Sequence, residues 1–149
     1  MKEDILCVNL LIDGKTTVVP ITIVYEQSNK EEIKNIHLEI KLGNHLYMSI
    51  PSDATEFAVT NLQKVLPSNI SIACCQSCRH GNFCPYGNED NEIFCLKGMT
   101  YNNKMDVCDI FSYTQNIVFG ERKRQLLDFC IEYEPISDSN FTYNDWGLY

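Results

Sequence analysis

Six of the eight cysteines fall between Cys74 and Cys108, in the run Cys74-Cys75-Gln-Ser-Cys78-Arg-His-Gly-Asn-Phe-Cys84-Pro-Tyr-Gly, then Cys95, then Cys108. From Arg79 to Asn103 the surrounding chain is rich in Gly, Asn, Pro and charge. Cysteine is among the most buried residue types, but a polar loop offers little apolar surface to bury it in. Exposed free thiols are also reactive. A loop of this length without internal support is uncommon in a compact domain. A bound metal ion resolves both difficulties, because thiolates drawn from separated points of a loop give it a centre. Cys7 and Cys130 lie outside the cluster, each on the apolar face of an expected element, and read as ordinary buried thiols.

Spacing orders the candidate ligands. A C-x2-C pair forms a tight knuckle that aims both sulfurs at one point, and Cys75-Gln-Ser-Cys78 has that spacing. Cys95 and Cys108 are the favoured second pair, giving C-x2-C-x16-C-x12-C. Cys84 could stand in for Cys108, since Cys84-Pro-Tyr-Gly is itself a tight turn. Cys74 could replace Cys75, and His80 could offer a ring nitrogen. Strand parity favours Cys75: Cys74 continues the face of Ile70 and Ile72 and should point into a core, which turns Cys75 the other way. Four thiolates suit zinc, the favoured ion. They also hold iron–sulfur clusters, the alternative, for which Cys75, Cys78 and Cys84 are the more closely spaced set. Zinc with four thiolates has no open position and cannot activate water, so it would serve to fold the loop.

The segment Cys75 to Phe111 resembles small, uncharacterised bacterial proteins of unknown function. They carry C-x2-C, then a lone Cys before a short polar stretch, then a final Cys with Phe shortly after. Here these are Cys75-Gln-Ser-Cys78, Phe94-Cys95-Leu-Lys-Gly98 and Cys108-Asp-Ile-Phe111, about a quarter of the chain. The resemblance implies the ligands Cys75, Cys78, Cys95 and Cys108, and no activity. Cys84 departs from the pattern.

The rest of the chain predicts an α+β domain: an antiparallel meander of four to five strands, a packed helix, the metal-bound loop and a C-terminal helix. Length argues for a single domain over 1–149, with the Cys-rich loop at 74–111 and an aromatic tail at 135–149. Ile5 to Ile12 and Lys15 to Tyr25 read as strands about an Asp13-Gly14 hairpin turn. Pro20 argues that the second strand is an edge or is bulged. Gln27 to Glu32 reads as a loop. Ile36, Leu38, Ile40 and Leu42 alternate with polar residues, and Leu46, Met48 and Ile50 alternate after a Gly43-Asn44 turn. A helix is expected from Pro51-Ser52-Asp53 to Pro67, capped by Asp53 with Glu56 or by Ser52, with Ala54, Ala58, Leu62 and Val65 as its apolar stripe. Asn69 to Cys74 follows as a short strand. A short hairpin is expected around Phe94 and Tyr101, an extended segment over Ile110 to Phe119, and a helix over Glu121 to Tyr133 with Leu126, Leu127, Cys130 and Ile131 inward. Phe141, Tyr143, Trp146 and Tyr149 could dock on the domain or on a partner, with docking on the domain favoured.

Composition bounds the function. A net charge of −8 argues against nucleic acid and against an anionic membrane surface, both of which want clustered cations. Arg122-Lys123-Arg124 is the one basic run and reads as a solvated helical face. There is no apolar N-terminal segment of the secretory kind, and no apolar stretch near the ~18 residues that suggest a membrane span. A cytoplasmic location is therefore expected, where thiols stay reduced. No nucleophile elbow, phosphate loop or dinucleotide fingerprint is present. Cys75-x-x-Cys78 as a redox pair would need to open a helix, and His37 with His45 could at most form a cross-strand pair. The expected role is non-catalytic: a zinc-stabilised protein-interaction or regulatory domain, with a basic protein as partner suggested by the negative charge. The alternative is an iron–sulfur or thiol redox protein.

Overall fold

The computed structural model describes residues 1–27, 32–114 and 119–146. The chain divides into two compact units, Met1–Ile72 and Ala73–Tyr149.

The first unit is a sheet with one helix on it. β1 (Lys2–Ile12), β2 (Lys15–Glu26), β3 (Lys34–Leu42) and β4 (His45–Met48) form the expected antiparallel meander, and β5 (Ile70–Ala73) joins beside β1, giving the order β4-β3-β2-β1-β5. Asp13 and Gly14 both take positive φ, which the β1–β2 turn requires. The register pairs Leu6 with Ile21, Ile21 with Ile40, and Ile23 with Leu38. That brings Val8, Leu10, Ile21, Ile36, Leu38 and Ile40 onto one buried face. α1 (Thr55–Val65) lies against β3 and β4 and buries Ala58, Val59 and Leu62. The opposite face of the sheet exposes Ile5, Val18, Leu46 and Met48.

Three local expectations are corrected here. β2 is an interior strand, not an edge. It is bulged, the other expectation, between Val24 and Glu26, and the β2–β3 ladder begins at Ile21, one residue past Pro20. α1 has Ala54 as its N-cap with no side-chain cap. Asp53 instead accepts the Asn35 N–H, and Ser52 Oγ accepts the Ala54 N–H. Cys7 is exposed, because it faces the open side of β1 opposite Pro20. The loop expected over Gln27 to Glu32 falls mostly outside the described residues.

The second unit holds a three-stranded sheet in the order β6 (Gly81–Asn82), β7 (Ile93–Cys95), β8 (Lys123–Arg124), and α2 (Lys104–Tyr113). Its core is Cys84, Phe94, Leu96, Val107 and Phe111. The rings of Phe94, Phe111 and Phe119 meet edge to face at 5.1–5.7 Å. Phe141 and Tyr143 of the tail pack against this core, as expected of a docked tail, while Tyr149 lies outside the described residues.

Three predictions fail in this unit. The hairpin expected around Phe94 and Tyr101 does not form, because β7 pairs with β6 and β8 and Tyr101 is in no strand. Ile110 to Tyr113 is helical, not extended, because Asn103 caps α2 by accepting the Asp106 N–H at 2.9 Å. The helix expected over Glu121 to Tyr133 is absent. Lys123–Arg124 is a strand, and turns follow. Of the residues expected to face inward, Leu126 is buried, Cys130 is exposed and Ile131 is 96% exposed. The carbonyls of Leu126 and Asp128 accept hydrogen bonds from Gln76 and Cys75, which a continuous helix would have kept for itself.

Candidate metal centre

β5 delivers the chain to the cysteines in extended form, so neighbouring side chains point opposite ways. Cys74 is buried, as parity requires, and Cys75 turns towards a cavity. A single 3-10 turn, Cys75–Ser77, follows. Ser77 Oγ accepts the Cys74 N–H at 3.1 Å and stands 3.1 Å from the Tyr133 hydroxyl. The Cys78 N–H donates to the Cys75 carbonyl at 3.3 Å, and the Gly81 N–H to the Cys78 carbonyl at 2.9 Å. This winds the backbone into a knuckle. Gly81 is needed for space: a Cβ there would stand 1.9 Å from the Cys75 carbonyl oxygen.

Backbone bonds pin the knuckle from outside. Cys75 N–H donates to Asp128 O at 2.7 Å and Gln76 N–H to Leu126 O at 3.0 Å. Arg79 N–H donates to Glu134 O at 2.8 Å, and Ile136 N–H to Ser77 O at 3.2 Å. The tail adds Asn144, whose side-chain amide donates to the carbonyls of Gln76 and Gly81. β7 brings the next thiol, since Cys95 pairs directly with Gly81. Arg122 locks that strand by donating from Nη1 to the carbonyls of Cys95 and Lys97, at 3.1 and 2.7 Å.

These segments surround a cavity of about 550 Å³. Cys75, Cys78, Cys95 and Cys130 line it, together with His80. Cationic Lys97, Arg122 and Arg124 and anionic Glu121, Asp128 and Glu132 complete its charged wall. Burial pushes the Cys75 thiol up to about 12, helped by Cys74 and the Asp128 carboxylate. Burial also lifts Cys74 to about 11, against the Ser77 hydrogen bonds. His80 is held below the usual imidazole range, first by burial and then by Arg79. Among the described residues, no three Cys, His or carboxylate side chains already stand as a coordinating group.

Of the four ligands expected from spacing, Cys75, Cys78 and Cys95 share this cavity and Cys108 does not. Cys108 is on α2, where Tyr86 bonds Ser112 Oγ at 2.9 Å and reaches the Cys108 carbonyl at 3.5 Å. Cys84, the expected alternate, is buried in the aromatic core beside Val107 and Phe111, and Cys108 adds to the upward push that burial gives its thiol. The other alternate, Cys74, is buried, and His80 is on the cavity wall. Cys130 is the member that sequence reasoning assigned to a helix and missed. Its one legible signal was its company: Asp128-Phe-Cys130-Ile-Glu132 is more polar than a core position warrants. Arg122-Lys123-Arg124 is likewise not a solvated helical face, because Arg122 and Arg124 line the cavity.

The arrangement disfavours nucleophilic thiol chemistry. Cys75 opens a three-residue 3-10 turn, with no long helix to lower its pKa, and burial raises that pKa instead. His37 pairs with Glu39 at 3.1 Å and the His45 ring lies tilted against Tyr47 with centroids 4.2 Å apart, so each imidazole has its own partner. Among the described residues, no helix is long and apolar enough to cross a membrane. No protein-family model, curated protein or solved structure matches the chain.

Proposed function

We propose that the protein is a non-catalytic, zinc-stabilised domain serving as a protein-interaction or regulatory module, with the metal held in the second unit. The carrying observation is that thiols from separate segments, Cys75 and Cys78 on a knuckle and Cys95 on β7, line one cavity. A knuckle followed by short antiparallel strands suits a structural zinc site. The paired strands, the pinned knuckle and the glycine at Gly81 supply the scaffold such a site needs. Thiols kept reduced, as in cytoplasm, fit the same reading. An ion closed off by thiolates supplies no activated water, so its contribution is to folding. A net charge of −8 supports a basic protein as partner.

The experiment is elemental analysis of chain purified without chelator, combined with a visible spectrum. Stoichiometric zinc in a colourless protein is expected. Brown protein containing iron would move the reading to a cluster. Metal-free protein with eight free or bridged cysteines would end it.

A further inference from the structure

We infer that Cys130 supplies the fourth thiolate of the centre, in the position spacing gave to Cys108, so that one zinc-class divalent cation clamps the segment 126–134 onto the knuckle and β7. This rests on the reading of the cluster as a metal site.

Two sets of observations carry it. Cys130 lines the same cavity as Cys75, Cys78 and Cys95. Independently, the backbone already brings its segment there. Asp128, two residues before it, accepts the Cys75 N–H at 2.7 Å, and Leu126 accepts the Gln76 N–H at 3.0 Å. Glu132, two residues after it, pairs with Lys97, two residues past Cys95. Cys130 is therefore held between the first and third thiols by bonds on both sides of it. The Tyr133 N–H donates to the Cys130 carbonyl at 3.1 Å, which makes a turn of the kind that presents a side chain. Among the described residues Cys108 has no comparable tie: its helix is capped at Asn103 and its neighbours Val107 and Phe111 pack against Cys84.

Each thiol releases a proton to solvent on binding, and a divalent ion with four thiolates is a dianion. Lys97, Arg122 and Arg124 on the cavity wall are matched in number by Glu121, Asp128 and Glu132, and Lys97 is paired with Glu132, which leaves Arg122 and Arg124 as the cations to meet that charge. Arg122 is already fixed there by its bonds to the Cys95 and Lys97 carbonyls.

The test compares the full chain with C130S, C108S and C78S. Zinc content and affinity are measured by chelator competition, and sulfur count by the thiolate-to-metal charge-transfer band after cadmium substitution. Wild type and C108S are expected to hold one ion with equal bands. C130S should lose about a quarter of the band and weaken binding by more than the ~100-fold that loss of an outer-shell partner costs. C130H, which restores a donor, should recover most of the affinity with a three-sulfur band. Hydrogen exchange should show amides 126–134 deprotected in C130S but not in C108S. Full metal binding and an unchanged band in C130S, with loss in C108S, would return the fourth position to Cys108 and leave the metal reading intact. Metal-free wild type would remove both.

Discussion

At the residue scale, Gly81 is the described glycine where an added side-chain carbon would collide with backbone. Its backbone does not take the left-handed conformation that usually demands glycine. Its constraint is crowding, with the Cys75 carbonyl oxygen 1.9 Å from where a methyl carbon would sit. That atom is backbone, so relief requires the knuckle itself to shift. Gly81→Ala is expected to destabilise the second unit by about 1–3 kcal/mol, the usual cost of forced overpacking. It should also weaken zinc retention, since Cys75 and Cys95 are both set by this contact. Urea unfolding and chelator competition check this, and unchanged values for both would show that the knuckle has slack. The glycine was visible in the sequence, but its reason was not, because the clash is with an atom six residues away that only the folded knuckle brings close.

At the element scale, β7 joins the two halves of the second unit. Cys95 at its end faces the cavity, while Phe94 is fully buried against Phe111 and Phe119. Phe94→Ala is expected to cost about 3–5 kcal/mol, the range for truncating a buried aromatic. Loss of cooperative unfolding of 73–149 on a urea gradient would register it, and a cost below ~1 kcal/mol would mean that the aromatic cluster repacks. Elements were legible where periodicity repeats. The alternation through β3 and the Asp13-Gly14 turn identified the meander because Ile36, Leu38 and Ile40 all point to one buried side of the sheet. The two errors near the C-terminus have physical causes. Asn103 with Asp106 was a helix start that β-rich composition around Ile110 obscured. The apolar spacing through Leu126 and Ile131 imitated a helix that tertiary hydrogen bonds to Cys75 and Gln76 override. Three cavity thiols were legible because knuckle spacing is local. Cys130 was not, since its place depends on a segment 35 residues beyond Cys95 folding back.

At the scale of the whole molecule, the two units draw on different sources of stability. The first buries a continuous aliphatic layer of Val8, Leu10, Ile21, Leu38, Ile40 and Leu62. The second has a smaller core and, on the proposed reading, an ion whose binding free energy of about 10–16 kcal/mol in zinc peptides matches or exceeds the ~5–15 kcal/mol of a whole domain. Chelation is expected to abolish exchange protection through 73–149 while amides of β1 to β4 stay protected, as followed by hydrogen exchange with and without a strong chelator. Equal loss in both units would show that the sheet depends on the ion. The exposed thiol of Cys7 gives this comparison its means of observation. It is the sole cysteine of Met1–Ile72 and stands on the open side of β1. With metal holding Cys75, Cys78, Cys95 and Cys130, and with Cys108 replaced by serine, a maleimide dye would be steered to this one point, and its emission would report on the sheet while the rest of the chain is stripped of its ion.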